Sequence, residues 1–187
     1  GTSAVAGLLA HCGLQPPRTL IPADRFNAKG YWESAVFMDF HDRLLLAAGT
    51  RWDAYTRIDP AWLASETAAR FKDECHTLLA QEFGSAPQFV LKDPRICRLL
   101  PFWMDVLETE SVVVSPVVVL RHPLEIAASL AVRDQLSQAT SLLIWLRHVL
   151  EAESATRPLK RTIVAYDELL ADWRKESARI ADDLAAP

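Results

Sequence analysis

The chain is poor in cysteine. Of its 187 residues only Cys12, Cys75 and Cys97 carry a thiol, an odd number, widely spaced and with no CxxC pair. That argues against a disulfide framework or a zinc site and fits a reducing compartment. The five histidines, His11, His41, His76, His122 and His148, show no ligand spacing, so no metal is expected. They read as surface or packing residues, with His122, beside Arg121, the one nearest to chemistry. No signal peptide and no apolar run of membrane-spanning length is present, and a cytoplasmic location is the expectation. Positive charge is also lacking: a net charge of −4 gives no general pull toward nucleic acid or an anionic membrane. Any anion site must therefore be local. Internal repeats and low-complexity tracts are absent.

What is there suits a single domain with a real core. Half of the residues are hydrophobic and about a quarter charged, ordinary values for a globular chain. Residues 4–10 form an apolar helical stretch. Gln15-Pro16-Pro17 breaks it, and the Pro-, Asp-, Asn- and Gly-rich segment up to Tyr31 reads as loop. Helical spacing of Phe37, Phe40 and Leu44 predicts a helix over 34–48, stopped by Gly49. Asp59-Pro60 signals the start of the next helix, which runs to Gly84. Gln88 to Leu91, bounded by Pro87 and Pro94, reads as a buried strand, followed by a helix over 95–107. Pro116 splits two β-branched runs, and only Val117 to Leu120 is expected to be a strand. Helices over 124–132 and 137–154, a strand over 162–166 and a last helix from Asp167 complete the order; the segment Asp182 to Pro187 is read as stopping mid-element. Strands that are unbroken apolar runs, alternating with helices, predict an α/β fold with a central parallel sheet and helices on both faces.

Two segments suit anion binding. Gly1-Thr2-Ser3 at the start of a helix offers small residues, hydroxyl donors and the positive end of the helix dipole; it is equally an ordinary N-cap sequence. No strand precedes Gly1, and the chain is expected to lack its first strand and the opening half of a phosphate loop. Thr2 also stands where a nucleotide triphosphatase has Lys. Arg121 ends the Val117–Leu120 strand, at the sheet edge where α/β proteins bind ligands, and a guanidinium grips phosphate in bidentate fashion. Ser129, two turns into the following helix, can share that phosphate or simply pack. Lys92-Asp93-Pro94-Arg95 follows another expected strand and reads either as a cation placed over a transferring anion or as a plain helix start. In Asn27 to Glu33, Glu33 is either a base or a helix-start carboxylate. Tyr31 and Trp32 either line a pocket or staple the loop.

Taken in order, Gly1-Thr2-Ser3, Asn27 to Glu33, Lys92-Asp93-Pro94-Arg95, Arg121-His122-Pro123 with Ser129, and Tyr166 to Leu170 resemble the sulfotransferases that use 3′-phosphoadenosine-5′-phosphosulfate. The likeness is nearest to the bacterial-type branch related to tyrosylprotein and carbohydrate sulfotransferases. It implies a P-loop nucleotide-kinase-like three-layer fold. By the resemblance, Gly1, Thr2 and Ser3 hold the 5′-phosphosulfate, Arg121 and Ser129 hold the 3′-phosphate, Lys92 steadies the departing bridging oxygen, and Glu33 is the catalytic base, with Asp93 and His122 as other candidates. The implied partners are the nucleotide donor and a carbohydrate or other small-molecule acceptor, with no metal. A catalytically inactive nucleotide-binding module is the rival. A P-loop kinase is a third reading, disfavoured by the missing Gly-Lys-Ser/Thr and by the lack of a metal-holding Asp after a strand.

Overall fold

The computed structural model describes residues 1–184; of the segment read as stopping mid-element, 185–187 lie outside them. The architecture is α/β and mostly helical, with a small sheet of two parallel strands. Its contacts divide the chain into two compact units: Thr2–Val112, and Gly1 together with the chain from Val113 onward.

The first unit holds α1 (Thr2–His11), α2 (Ala35–Ala47), α3 (Glu66–Phe83) and α4 (Ile96–Thr109), and the last three share an aromatic core. Ser34 starts α2 by accepting the Phe37 N–H on its Oγ at 3.0 Å. The three- and four-residue spacing of Phe37, Phe40, His41, Leu44 and Leu45 then buries one face of the helix. Phe37 packs edge-on against Trp103 with ring centroids 5.2 Å apart, and Phe40 packs likewise on Phe71 at 5.6 Å. Such aromatic pairs are worth about 0.5–1.5 kcal/mol each beyond the area they bury.

The expected helix from Pro60 to Gly84 is two elements. A 3-10 turn, Pro60–Ala64, gives way at Ser65, whose extended backbone (ψ 156°) breaks the helix and whose hydroxyl caps α3. The expected strand at Gln88–Leu91 is also corrected: it makes a single parallel bridge, Phe89 to Gln15. Pairing stops there because Pro16 and Pro17, next along the partner segment, have no N–H to extend the ladder. The central sheet expected from the sequence is correspondingly reduced.

In the second unit, β1 (Val117–Leu120) pairs in parallel with β2 (Thr162–Ala165), Val117 opposite Thr162. The crossover between them carries α5 (Pro123–Asp134) and α6 (Gln138–Thr156), which pack on each other. The run Ser111 to Val114 is not a strand, in line with the proline argument. The last helix is interrupted at Asp172, which separates α7 (Tyr166–Ala171) from α8 (Trp173–Leu184) and accepts the Lys175 N–H. No helix among the described residues is long and apolar enough to cross a membrane.

Leu44, on the buried face of α2, is completely shielded from solvent. Truncation to Ala leaves a cavity in a core that cannot collapse fully, and Leu44→Ala is expected to lower unfolding free energy by about 2–5 kcal/mol in denaturant titration.

Candidate functional site

Three of the sequence candidates come together in the first unit. Ser3 lies in the first turn of α1, Glu33 immediately precedes the Ser34 cap of α2, and Lys92 opens the turn leading to α4. The Lys92 ammonium donates to Ser3 Oγ at 3.2 Å, to the Tyr31 carbonyl at 3.1 Å and, in a very short contact, to Glu33 Oε1. Asn27 Nδ2 donates to the same Ser3 hydroxyl at 3.4 Å. All three of the ammonium's donors are thus engaged, in a place where both charged side chains are more than nine-tenths buried.

Local sequence explains how the Glu33 segment is held. Asp24 accepts the backbone N–H groups of Phe26 and Asn27 and the Tyr31 hydroxyl, folding the loop on itself. Trp32 adopts a left-handed backbone (φ 58°) and lays its indole on α1 at Gly7, where an added Cβ would stand 2.8 Å from the ring. The two aromatics therefore act as staples. On the other side, the Glu33 carbonyl accepts the Ile21 N–H, and the Thr19 carbonyl accepts that of Ala35. Thr19 is itself clamped by buried Glu82, which accepts its N–H and its hydroxyl at 3.2 and 2.9 Å.

Burial dominates the electrostatics of the pair. It pushes the Glu33 carboxyl above its ordinary value, with Lys92 partly opposing and the Asp93 charge adding to the rise. It pulls the Lys92 ammonium below its ordinary value, with Glu33 and Asp93 opposing. Asp93 goes the other way. Burial raises it, but the His41 ring and the Arg95 guanidinium outweigh that and hold the carboxyl at about 2. Its Oδ1 accepts the Arg95 N–H at 2.7 Å, and Arg95 continues to Asp42 at 2.8 Å. His41, read from sequence only as a surface or packing residue, is fully buried and faces this carboxylate at 3.1 Å. Its place on the α2 face shared by Phe37 and Leu44 was the available signal.

The other candidates lie in the second unit. Gly1 sits where a Cβ would meet the Tyr166 ring at 2.8 Å and Val119 at 2.9 Å, so close approach demands glycine there. Thr2, by contrast, belongs to the first unit as the opening residue of α1. Arg121 donates to Glu125 at 2.7 Å and stacks over Tyr166 with 5.1 Å to the ring centroid. Ser129 is exposed on α5 and is no packing residue. His122 caps α5 by accepting the Leu124 N–H on Nδ1 at 3.3 Å. Comparison with family models, with curated proteins and with solved structures returned no match to this chain.

Removing one member of a buried ion pair leaves the other uncompensated, which typically costs about 3–5 kcal/mol. In Lys92→Met the lone Glu33 carboxyl titrates still further above its ordinary value of 4.5. A carboxyl whose pKa is raised by folding destabilises the native state as pH climbs from the unfolded value through the folded one. The stability deficit of Lys92→Met is therefore expected to be small near pH 5 and to grow toward pH 8, as read by paired urea titrations.

Proposed function

We propose that the protein is a sulfotransferase, moving a sulfuryl group from 3′-phosphoadenosine-5′-phosphosulfate to the hydroxyl of a carbohydrate or other small acceptor. The observation that carries this reading is the convergence of Lys92, Ser3 and Glu33 on one buried point. Those three residues come from separate segments of the chain, and the resemblance gives them complementary roles: Ser3 at the 5′-phosphosulfate, Lys92 at the departing oxygen and Glu33 as the base. The proposal extends to the fold: a P-loop nucleotide-kinase-like three-layer arrangement, of which the two parallel strands are a part.

In the proposed reaction the acceptor oxygen attacks sulfur as the bond from sulfur to the bridging oxygen of the 5′-phosphate breaks. Lys92 neutralises charge on the sulfuryl group and on that departing oxygen. Ser3 and the first N–H groups of α1 hold the 5′ end. Glu33 takes the acceptor's proton, and 3′-phosphoadenosine-5′-phosphate leaves. Catalysis of this kind is mainly positioning and charge stabilisation, by analogy with phosphoryl transfer. A base works best when its pKa lies near the working pH, and the burial that lifts Glu33 moves it in that direction. Asp93, held at about 2, is the poorer base. His122 has its Nδ1 committed to the helix cap. Arg121 and Ser129 are assigned the 3′-phosphate, for which the exposed hydroxyl and a guanidinium paired to a surface carboxylate are suited.

Calorimetry supplies the first test. A charge-assisted contact is worth roughly 1.5–3 kcal/mol, so 3′-phosphoadenosine-5′-phosphate should bind at least about tenfold more tightly than 5′-AMP. Arg121→Ala should remove that preference. Equal affinity of the unaltered protein for the two nucleotides overturns the proposal.

The second test is kinetic. Glu33 must be unprotonated and Lys92 protonated, so kcat/KM should be bell-shaped. Its acid limb should lie above the ordinary carboxylate value of 4.5 and its alkaline limb below the ordinary lysine value of 10.5. Glu33→Gln should abolish the acid limb and cut turnover by about a hundredfold or more, with donor affinity intact. A variant that binds donor and loses only a few fold would instead fit an inactive nucleotide-binding module.

A further inference from the structure

We propose that His41 is a positioning residue: held between Trp103 and Asp93, it fixes the Lys92–Arg95 turn so that the Lys92 ammonium faces Glu33. The role rests on the reading of Lys92 and Glu33 given above, while the geometry stands by itself. His41 is completely buried on α2 among Phe37, Phe40 and Trp103. An apolar side chain would fill that space without the cost of hiding two ring nitrogens from water. The Trp103 indole, a donor only, gives its N–H to His41 Nε2 at 3.0 Å. That nitrogen must then be unprotonated, which puts the proton of the neutral ring on Nδ1. Nδ1 finds no well-aligned hydrogen-bond partner among the described residues. The group that compensates it is the Asp93 carboxylate, with Oδ2 at 3.1 Å.

The line continues outward. Arg95 Nη1 lies 3.1 Å from both Asp93 oxygens, and the far side of its guanidinium meets Asp42. A polar path therefore runs from the core of α4 through α2 to the turn whose first residue is Lys92. With Asp93 anchored, the adjoining Lys92 is directed at Ser3, the Tyr31 carbonyl and Glu33. The charged groups that act on Lys92 are Glu33, Asp93 and Arg95, and those that act on Glu33 are Lys92, Asp93 and Arg95. Release of the Asp93 anchor thus disturbs both halves of the pair. It also lets water reach an ammonium that is now buried.

The test compares His41→Leu, which keeps the packing and loses both polar contacts, with His41→Gln. The Gln amide can accept from Trp103 and donate to Asp93. Competitive labelling of the intact folded protein with acetic anhydride across a pH series, read at Lys92 by mass spectrometry, gives that amine's titration midpoint without requiring activity. His41→Leu is expected to move the midpoint up toward the ordinary 10.5. It should also lower turnover by roughly tenfold to a hundredfold at unchanged donor affinity. His41→Gln should keep both properties close to those of the unaltered protein. An unmoved Lys92 midpoint in His41→Leu overturns the proposal, because it means that His41 only packs. A loss in His41→Gln as deep as in His41→Leu also overturns it, since the two polar contacts would then not be what matters. Should His41→Leu not fold, Trp103→Phe removes the indole donor while keeping an aromatic ring in the core, and an unmoved midpoint there is equally fatal. If the sulfotransferase reading alone fails, nucleotide binding is absent while the Lys92 midpoint still shifts.

Discussion

Taking the Lys92 ammonium out of water is the constraint on which the surrounding structure depends. An isolated buried charge is costly enough that it would give up its proton or drag the backbone open. Glu33 supplies the opposite charge, but its own burial is a second penalty of the same kind, so the pair does little for net stability. The remaining compensation comes from the Ser3 hydroxyl, the Tyr31 carbonyl and the neighbouring Asp93 charge. Each of those groups must be held in place by its own surroundings. That requirement accounts for features that would otherwise look unrelated. They include the glycine beneath Trp32, the Asp24 loop that binds the Tyr31 hydroxyl, and the Glu82–Thr19 clamp behind Ser34.

Rigidity in this region is drawn from the aromatic core. Phe37, Phe40, Phe102 and Trp103 interlock at centroid separations of 5.2 to 6.4 Å, and α2 and α4 are therefore poorly free to slide. The polar line from Trp103 to Arg95 is set into that core, so the position of the turn at Asp93 follows from packing as much as from hydrogen bonding. Charge networks on mobile loops lose geometry to side-chain entropy. One anchored in a close-packed interior does not.

The sequence made much of this legible and left other parts hidden for physical reasons. Helical spacing at Phe37, Phe40 and Leu44 marked α2, whose expected start at 34 lies one residue from the observed Ala35. The proline argument correctly reserved β1 for Val117–Leu120. Gln88–Leu91 misled because an apolar run between prolines reports burial, while strand identity depends on a partner. That partner, Gln15, is followed by two residues without an N–H. Ser65 and Asp172 interrupted helices that periodicity carried straight through, since one capping side chain outweighs a continuing pattern. Lys92 and Glu33 could be picked out singly by motif and segment, but no spacing along the chain encodes a contact between residues 59 positions apart. His41 was hidden more deeply: a polar residue on an apolar face looks like packing until its ring nitrogens have partners.

Lys92 and Arg121 also differ in how readily each can accept an anion. Arg121 is about one-third exposed, and its Glu125 partner more than half exposed. A pair of that kind is worth at most about 1 kcal/mol and is screened by salt. A doubly charged phosphate displaces a single carboxylate from such a guanidinium at little cost, while the Tyr166 ring still supports the cation's other face. Lys92 cannot be claimed so cheaply. To take a sulfuryl group it must exchange the Glu33 carboxylate, in a place where water cannot stand in for either partner. On the proposed reading this is a useful asymmetry. The exchange leaves Glu33 without its cation at the moment when an acceptor proton is there to be taken, so the binding of one substrate prepares the base for the other.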